Sequence, residues 1–283
     1  MTQAIILIHC PDRKGLVAAI TTFVKEAQAN IIYLDQHVDR ETDTFFMRLV
    51  CAFDTATELI RFRESFQTKM ANPYDLSWQL FDHNETSRIA LLVSKYDHCL
   101  YDLLGRHATG ELRGAISLII SNHPDLSGVA KQFDIPFFHI PVNKETKKEA
   151  ETKQLELLQK HEIDLIVLAR YMQIISADFV AHYPNKIINI HHSFLPAFVG
   201  AKPYHAAFDR GVKIIGATSH YVTSDLDEGP IIEQETVRVS HIHGVQDFIM
   251  KGRDLEKIVL ARAVKAHLDH KILVYGNKTI IFS

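Results

Sequence analysis

Four polar residues in the second half of the chain have the types and the spacing that suit chemistry at a carbonyl group. Asn189 and His191 are two residues apart, so in an extended chain both side chains point to the same side. His220 and Asp227 follow where a second strand-like run passes into a polar loop. An amide and an imidazole can donate hydrogen bonds to the oxygen that becomes negative when a nucleophile adds. A carboxylate can accept the nucleophile's proton if its pKa is raised or its geometry is right, so the set indicates acyl transfer.

The nucleophile is not expected to be a serine of this chain. Ser193 lies in the same region, but it has no elbow glycine on either side and no Ser-His-Asp pattern accompanies it. A second interpretation stays open for each residue taken alone. Asn189 and His191 could be ordinary satisfied polar residues at a strand end, and Asp227 could be a turn residue.

A metal site is the other alternative. The chain has 17 histidines, and His191, His192, His220 and Asp227 are residue types that bind zinc. However, the sequence contains neither an HExxH pattern nor paired cysteines at metal-binding spacing. We therefore expect no metal.

The elements that must position these residues alternate between strands and helices from Arg88 onward. Such alternation predicts a mainly parallel, Rossmann-like α/β sheet with helices on both faces. Ligands in this class lie at the carboxyl ends of the strands, which is where we expect the chemistry. Strands are predicted at 89–93, 115–120, 137–140, 165–168, 186–191 and 216–222, and helices at about 97–106, 127–133, 147–161 and 245–267.

The first 80 residues follow a different order: strand, helix, strand, strand, helix, strand. This order predicts a ferredoxin-like βαββαβ domain, with an antiparallel sheet and helices on one face. The polar stretch at 83–88 interrupts the pattern and is predicted to be a linker. The predicted domains are therefore 1–82 and 89–283. The predicted strands are 4–9, 30–37, 44–53 and 75–81, and the predicted helices are 16–27 and 57–71.

Bulk properties limit the classes of function. A length of 283 residues suits two domains. The net charge of −3 argues against a nucleic-acid partner. No apolar stretch approaches the roughly 20 residues that cross a bilayer, so no membrane partner is expected. Three cysteines without a pairing pattern are typical of a reducing compartment, and a cytoplasmic location follows.

The N-terminal part resembles the ACT domain in the run DRKGLV at 12–17, followed by Ala29-Asn30-Ile31. The resemblance implies a regulatory or oligomerisation domain and a homo-oligomer. A small amino acid would bind at the turn, because a glycine at a helix N-terminus lets a carboxylate approach the backbone N–H groups. The alternative is that the glycine only permits the turn. The implied effector-binding residues are Asp12, Arg13, Gly15 and Leu16.

From about residue 88 to the end, the chain resembles the folate-dependent formyltransferase-fold family. The resemblance lies in Asn189-x-His191, in Ser193-x-Leu195-Pro196 and in the run from His220 to Ile232, in that order. It implies that Asn189 and His191 hold the formyl oxygen, that Asp227 manages protons and that His220 orients Asp227. The implied substrate-binding residues are Arg170, Tyr171, Met172, Gln173 and Ile174 of the pteridine-pocket loop, together with His192 and Ser193. Met172 could instead be plain core filling.

The acceptor of the formyl group is predicted from the surroundings of the site. Transferases of this fold place a glycine-rich loop after the first strand to cradle a phosphate, whereas 93–100 has no glycine and carries Asp97. The basic C-terminal domain of the tRNA-directed members is not visible either. Water is therefore the expected acceptor. The runs 94–100, 121–123, 200–205 and 276–279 and the fused ACT domain resemble the deformylase branch of the family.

This resemblance implies a hydrolase of a linear amide bond that converts 10-formyltetrahydrofolate to formate and tetrahydrofolate. The folate is the substrate and no cofactor is expected. The formate would supply purine synthesis, and the reaction would balance one-carbon pools. Two alternatives remain: a formyltransferase of the glycinamide ribonucleotide type, and a non-catalytic amino-acid sensor.

Overall fold

The computed structural model describes residues 2–197 and 203–283. Internal contacts divide the chain into two compact units. The first runs to Thr86 and also takes in His270–Leu273 and Ile280–Ser283, and the second comprises Ser87–Asp269 and Val274–Thr279. Among the described residues, no helix has the length and apolar character needed to cross a membrane.

The first unit contains a four-stranded sheet in the order β2-β3-β1-β4, in which all neighbouring strands are antiparallel. Every second residue of the first strand (Ala4, Ile6, Ile8 and Cys10) belongs to a core shared with the helices, as the two-residue period of a strand requires. Its elements are β1 (Thr2–Pro11), α1 (Leu16–Glu26), β2 (Asn30–Asp39), β3 (Thr44–Phe53), α2 (Ala56–Phe66), a π-helix (Gln67–Ala71), α3 (Asn72–Tyr74) and β4 (Ser77–Asp82).

The second helix of this unit begins at a capping box and continues into a π-helix. Thr55 caps α2 by accepting a hydrogen bond from the backbone N–H of Glu58 at 3.2 Å, in a capping box. The predicted helix over 57–71 is α-helical only as far as Phe66. The π-helix follows, and there Gln67 accepts a hydrogen bond from the indole of Trp78 at 2.9 Å.

The second unit contains a seven-stranded sheet in the order β11-β10-β9-β8-β5-β6-β7. Strands β7, β6, β5, β8 and β9 run parallel, while β10 and β11 are antiparallel to their neighbours. Its elements are β5 (Arg88–Val93), α4 (His98–Ala108), β6 (Ala115–Ser121), α5 (Ser127–Gln132), β7 (Phe137–His139), α6 (Lys147–Lys160), β8 (Leu165–Leu168), α7 (Ala177–Ala181), β9 (Ile187–His191), α8 (Pro203–Arg210), β10 (Ile214–Tyr221), β11 (Ile231–Arg238) and α9 (Val245–Leu268). The hairpin of β12 (Ile272–Tyr275) and β13 (Lys278–Ile281) follows.

The middle strands of this sheet are buried along almost their whole length. All four residues of β8 and the five residues after Arg88 in β5 are buried. Such continuous apolar strands are typical of a parallel sheet covered on both faces. Together with the antiparallel first unit, this sheet confirms the predicted fold class.

Two helices of the second unit were not predicted. Ser176 caps α7 by accepting a hydrogen bond from the N–H of Phe179 at 3.2 Å, and Asp178 lies in its first turn. Pro203 begins α8, a position that suits proline because no intrahelical donor is lost there. Both starts carry recognised helix-initiation signals, but the helices are short and their apolar pattern is weak.

Candidate active site

Asn189 and His220 are brought together by the antiparallel pairing of β9 with β10, in which the two residues are direct partners. The amide Nδ2 of Asn189 lies 3.3 Å from Nε2 of His220. The Nδ1 of His220 lies 2.9 Å from the carbonyl oxygen of Tyr221, so it carries a hydrogen and donates it. In the neutral ring, Nε2 of His220 is then free to accept a hydrogen bond from the Asn189 amide.

Asp227 reaches these residues because its loop folds back on β10. The loop is closed by a hydrogen bond from the N–H of Tyr221 to the carbonyl oxygen of Pro230 at 2.9 Å. Gly229 is required there, since a Cβ at this position would lie 1.8 Å from the carbonyl oxygen of Tyr221. Asp227 itself has a left-handed backbone, with φ of 57°. The turn therefore places the carboxylate of Asp227 beside β10.

The carboxylate of Asp227 contacts both histidines. Its Oδ2 lies 3.2 Å from Nδ1 of His191 and its Oδ1 lies 3.6 Å from Nε2 of His220. The hydrogen bond from Nδ1 of His191, together with the smaller effect of the nearby His220 imidazole, holds the pKa of Asp227 well below its ordinary value of 3.8. Asp227 is therefore ionised at neutral pH. The sequence interpretation allowed a proton acceptor with a raised pKa or with suitable geometry, and the structure favours the second condition.

His191 has one nitrogen engaged and one open. Its Nδ1 faces Asp227, whereas its Nε2 is buried and has no hydrogen-bond partner among residues 2–197 and 203–283. A buried polar atom without a partner is costly and points to a group that arrives with the ligand. When the ring is protonated, Nε2 can donate to an oxygen that becomes negative.

These residues line a cavity of about 390 Å³ at the carboxyl ends of β8 and β9. Asn189, His191, His220 and Asp227 all contribute to its wall. So do the predicted substrate-binding residues Arg170, Tyr171, Met172, Gln173, Ile174 and His192. The structure thus gathers both predicted sets around one space, with a volume that suits a bound organic ligand.

Ser193 does not line this cavity. It is buried beside a smaller, neighbouring cavity of about 170 Å³, and its carbonyl oxygen accepts a hydrogen bond from the hydroxyl of Thr218 at 2.9 Å. The strand ends at His191, so the alternation that brings Asn189 and His191 to one side no longer governs Ser193. Gly200, Ala201 and Lys202, which also carried the resemblance, lie outside the described residues.

The loop that follows β8 has a polar anchor and an apolar rim. The backbone N–H of Met172 donates to the hydroxyl of Ser94 at 2.9 Å, and that hydroxyl donates to Asn122 at 2.6 Å. The hydroxyl of Tyr171 accepts a hydrogen bond from Gln154 at 2.9 Å, and burial raises the pKa of this tyrosine to about 12. Tyr171 therefore holds the loop from its buried side.

The rim of the cavity carries exposed apolar side chains on both sides. Met172 and Ile174 are 45% and 60% exposed, so the alternative that Met172 is core filling is not supported. Leu226, 59% exposed, lines the cavity from the Asp227 loop. Exposed apolar residues around a concave site are typical of ligand contact. The sequence interpretation missed Leu226, although it is the single apolar residue between Asp225 and Asp227.

The residues predicted to bind an effector at the turn of the first unit lie in different environments. Gly15 caps α1 with φ of 90° and no side-chain cap, so the helix N-terminus is open. The guanidinium of Arg13 is bonded to the carbonyl oxygen of Tyr74 and lies 5.2 Å from that ring. Leu16 is 2% exposed and packs in the core, so its side chain is not at the surface of the turn. The N–H of Asp12 donates to the carbonyl oxygen of Asp43 at 2.6 Å.

Comparison with known families agrees with this two-part organisation. Residues 87–264 match the family model described as formyl transferase, and residues 4–60 match the ACT domain.

Two curated relatives match over nearly their full length. A formyltetrahydrofolate deformylase of Synechocystis sp. is 53% identical over 99% of this chain and 98% of the relative. One of Bacillus subtilis is 48% identical over 98% of this chain and 93% of the relative.

The similar solved structures include deformylases and glycinamide ribonucleotide transformylases. A formyltetrahydrofolate deformylase from Pseudomonas syringae superposes with a TM-score of 0.96 at 45% identity, covering 100% of this chain and 95% of that one. A glycinamide ribonucleotide transformylase from Symbiobacterium toebii superposes with a TM-score of 0.67 at 28% identity, covering 72% of this chain and 98% of its own. The transferase scaffold is thus contained within this chain.

Proposed function

This chain belongs to the family of formyltetrahydrofolate deformylases and is a hydrolase, and we propose that it cleaves 10-formyltetrahydrofolate with Asn189, His191 and Asp227 at the reacting carbon. The observation that carries the assignment is the buried Nε2 of His191, which has no partner among the described residues and belongs to a side chain that lines the cavity next to an ionised carboxylate.

The formyl oxygen would lie between two donors. When His191 is protonated, its charge is compensated by Asp227 at Nδ1 and its Nε2 donates to the oxygen. The Asn189 amide has two hydrogens, of which one is directed to His220 and the other is available to the formyl oxygen. Donors fixed before the reaction stabilise the developing oxyanion without reorganisation.

Asp227 would position the attacking water and relay its proton. The water oxygen forms a bond to the formyl carbon and its proton passes to Asp227. The carbon–N10 bond then breaks, the proton is delivered to N10, and formate and tetrahydrofolate leave. Because the pKa of Asp227 is lowered, the carboxyl holds this proton only transiently and returns it readily.

The folate would bind against the loop that follows β8. The apolar rim formed by Met172, Ile174 and Leu226 suits the flat aromatic part of the substrate. The reaction requires no cofactor, since water accepts the formyl group. The formate released would supply purine synthesis and the reaction would balance one-carbon pools.

The first unit is proposed to be the regulatory and oligomerisation domain, with the boundary at 83–88. The open N-terminus of α1 at Gly15 suits the carboxylate of a small amino acid, while the engagement of Arg13 with Tyr74 leaves the backbone as the main contact. Three buried free cysteines suit the predicted cytoplasmic location.

The test is a product assay on the purified full chain with 10-formyltetrahydrofolate. We expect formate and tetrahydrofolate in equal amounts. Binding of the folate without either product would identify a sensor instead. Transfer of the formyl group to added glycinamide ribonucleotide would identify a transferase.

A further inference from the structure

A buried carboxylate lies close to the candidate site and has no part in the mechanism above. Glu256 of α9 is 1% exposed. Its oxygens lie 2.7 Å from Nε2 of His98 and 2.7 Å from the hydroxyl of Tyr204. Its Oε2 also lies 3.3 Å from Nε of Arg170. Burial alone raises the pKa of Glu256, but the hydrogen bond from His98 and the charge of Arg170 outweigh it, so the carboxyl is ionised.

Arg170, which faces this carboxylate, has an unusual backbone conformation. Its φ is 63°, in the left-handed region that favours glycine. Its guanidinium lies 4.9 Å from the centre of the Tyr96 ring, and the guanidinium of Arg253 lies 5.8 Å from the same ring. A long cationic side chain at a backbone position suited to glycine indicates that the side chain itself is needed there.

This side chain stands at the wall of the formyl site. Arg170 lines the same cavity as Asn189, His191 and Asp227. The cluster also reaches the site from the other side, because the Tyr204 ring lies 6.1 Å from that of His192, which lies 5.3 Å from that of His191. Arg170 is thus the member of this ion pair that lines the cavity, whereas Glu256 contacts Arg170 without lining it.

We propose that Arg170, held by its contacts with Tyr96 and Glu256, excludes amines from the formyl carbon and so makes water the nucleophile; the three residues are together called the acceptor wall. This inference rests on the proposed function and names the residues that decide its outcome. The fold alone does not determine whether water or an amine attacks, since a glycinamide ribonucleotide transformylase shares the fold of the second unit.

Size is the physical basis of the acceptor wall. Arg170 lines the cavity, and its side chain occupies volume that an amine-bearing molecule would need, whereas a water molecule requires far less. The ring of Tyr96, centred 4.9 Å from the guanidinium, and the carboxylate of Glu256, 3.3 Å from Nε, keep that side chain in place.

Opening the acceptor wall should permit aminolysis. The amine nitrogen would form a bond to the formyl carbon, the carbon–N10 bond would break, and the proton lost by the amine would pass through Asp227 to N10. The products would be the N-formyl amine and tetrahydrofolate. No further reactant is needed.

The experiment measures the partition of the formyl group between water and glycinamide. Full-length protein is incubated with 10-formyltetrahydrofolate and glycinamide, and N-formylglycinamide and formate are quantified against an enzyme-free blank. Arg170→Gly removes the side chain and keeps a residue that adopts the left-handed backbone readily. Tyr96→Ala removes the ring from a half-exposed position and preserves the buried ion pair, and Tyr96→Phe is its matched control.

We expect formate alone from the wild type and from Tyr96→Phe. In Arg170→Gly and Tyr96→Ala, the ratio of N-formylglycinamide to formate should rise about tenfold or more above the wild-type limit. If Arg170→Gly yields neither N-formylglycinamide nor formate, the ratio of the two products in Tyr96→Ala tests the acceptor wall. A wild-type ratio in the variants that still release formate would overturn the acceptor wall alone. Failure of the wild type to release formate would instead overturn the proposed function.

Discussion

At the scale of single residues, the two nitrogens of His191 have different tasks. Nδ1 faces an ionised carboxylate, whereas Nε2 is buried and has no partner among the described residues. The same imidazole can therefore receive compensation for positive charge on one side and offer a donor on the other. The site is therefore defined by the His191–Asp227 pair, in which one ring nitrogen faces the carboxylate and the other has no partner among the described residues. A histidine alone would not define it.

Replacing Asp227 with asparagine should reduce formate release by about 10²–10⁴-fold, because the variant can neither accept a proton nor compensate charge on His191. The rate of formate release under saturating substrate measures the effect. Glu228→Gln is the matched control, since its side chain is exposed in the same loop and does not line the cavity. Near-normal turnover in Asp227→Asn would remove the residue from the mechanism.

The lowered pKa of Asp227 also makes a prediction about stability. A carboxyl whose pKa is depressed by folding stabilises the folded state above its unfolded pKa, here 3.8, and loses that contribution as the pH falls through the folded value. The free energy of unfolding of the wild type should therefore decrease relative to that of Asp227→Asn as the pH falls from 5 to about 3. Urea unfolding of both proteins across this range measures it. A constant difference between the two would show that folding does not shift this carboxyl.

The polar residues of the site illustrate what could be predicted from the sequence. Asn189, His191, His220 and Asp227 were predicted because their order and spacing are distinctive, and they share one cavity. Ser193 was placed in the site because it belongs to a motif that carries the family resemblance, and it lines another cavity. The role of Glu256 could not be predicted, since its partners lie on elements far apart in the chain.

At the scale of elements, the loop that carries Asp227 back onto β10 is the part of the site that tolerates substitution least. Gly229→Ala would place a Cβ 1.8 Å from the carbonyl oxygen of Tyr221, so the loop must open and Asp227 must move. We expect formate release to fall at least about tenfold, with the protein still folded by circular dichroism. Gly128→Ala, in α5 with no atom within 4 Å of the added Cβ, is the matched control. Retained activity in Gly229→Ala would mean that the loop has another route to closure.

Strands were predicted better than the short helices and loops. The apolar runs of β5, β6 and β8 mark buried strands without ambiguity. The antiparallel direction of β10 does not follow from its composition, and yet it makes Asn189 and His220 partners. Sequence spacing alone therefore predicted the members of the site but not the contact that joins them.

At the scale of the whole molecule, we expect the first unit to regulate the hydrolase. Glycine or methionine should shift the rate of formate release or the melting temperature of the full chain if the turn at Gly15 binds an amino-acid carboxylate. Light scattering after size-exclusion chromatography measures the assembly state in the same samples. If no common amino acid has an effect and the protein is oligomeric, the first unit serves assembly alone.

The division of the chain into units has a consequence for how the protein is made. His270–Leu273 and Ile280–Ser283 belong to the first unit, where Arg48 donates to the carbonyl oxygen of His270 at 2.9 Å. A ribosome synthesises these segments only after residues 87–269. N-terminal domains usually fold while the rest of the chain is still emerging. Here the first unit acquires its last partners only after residues 87–269 have been translated, so its maturation waits for the synthesis of most of the second unit.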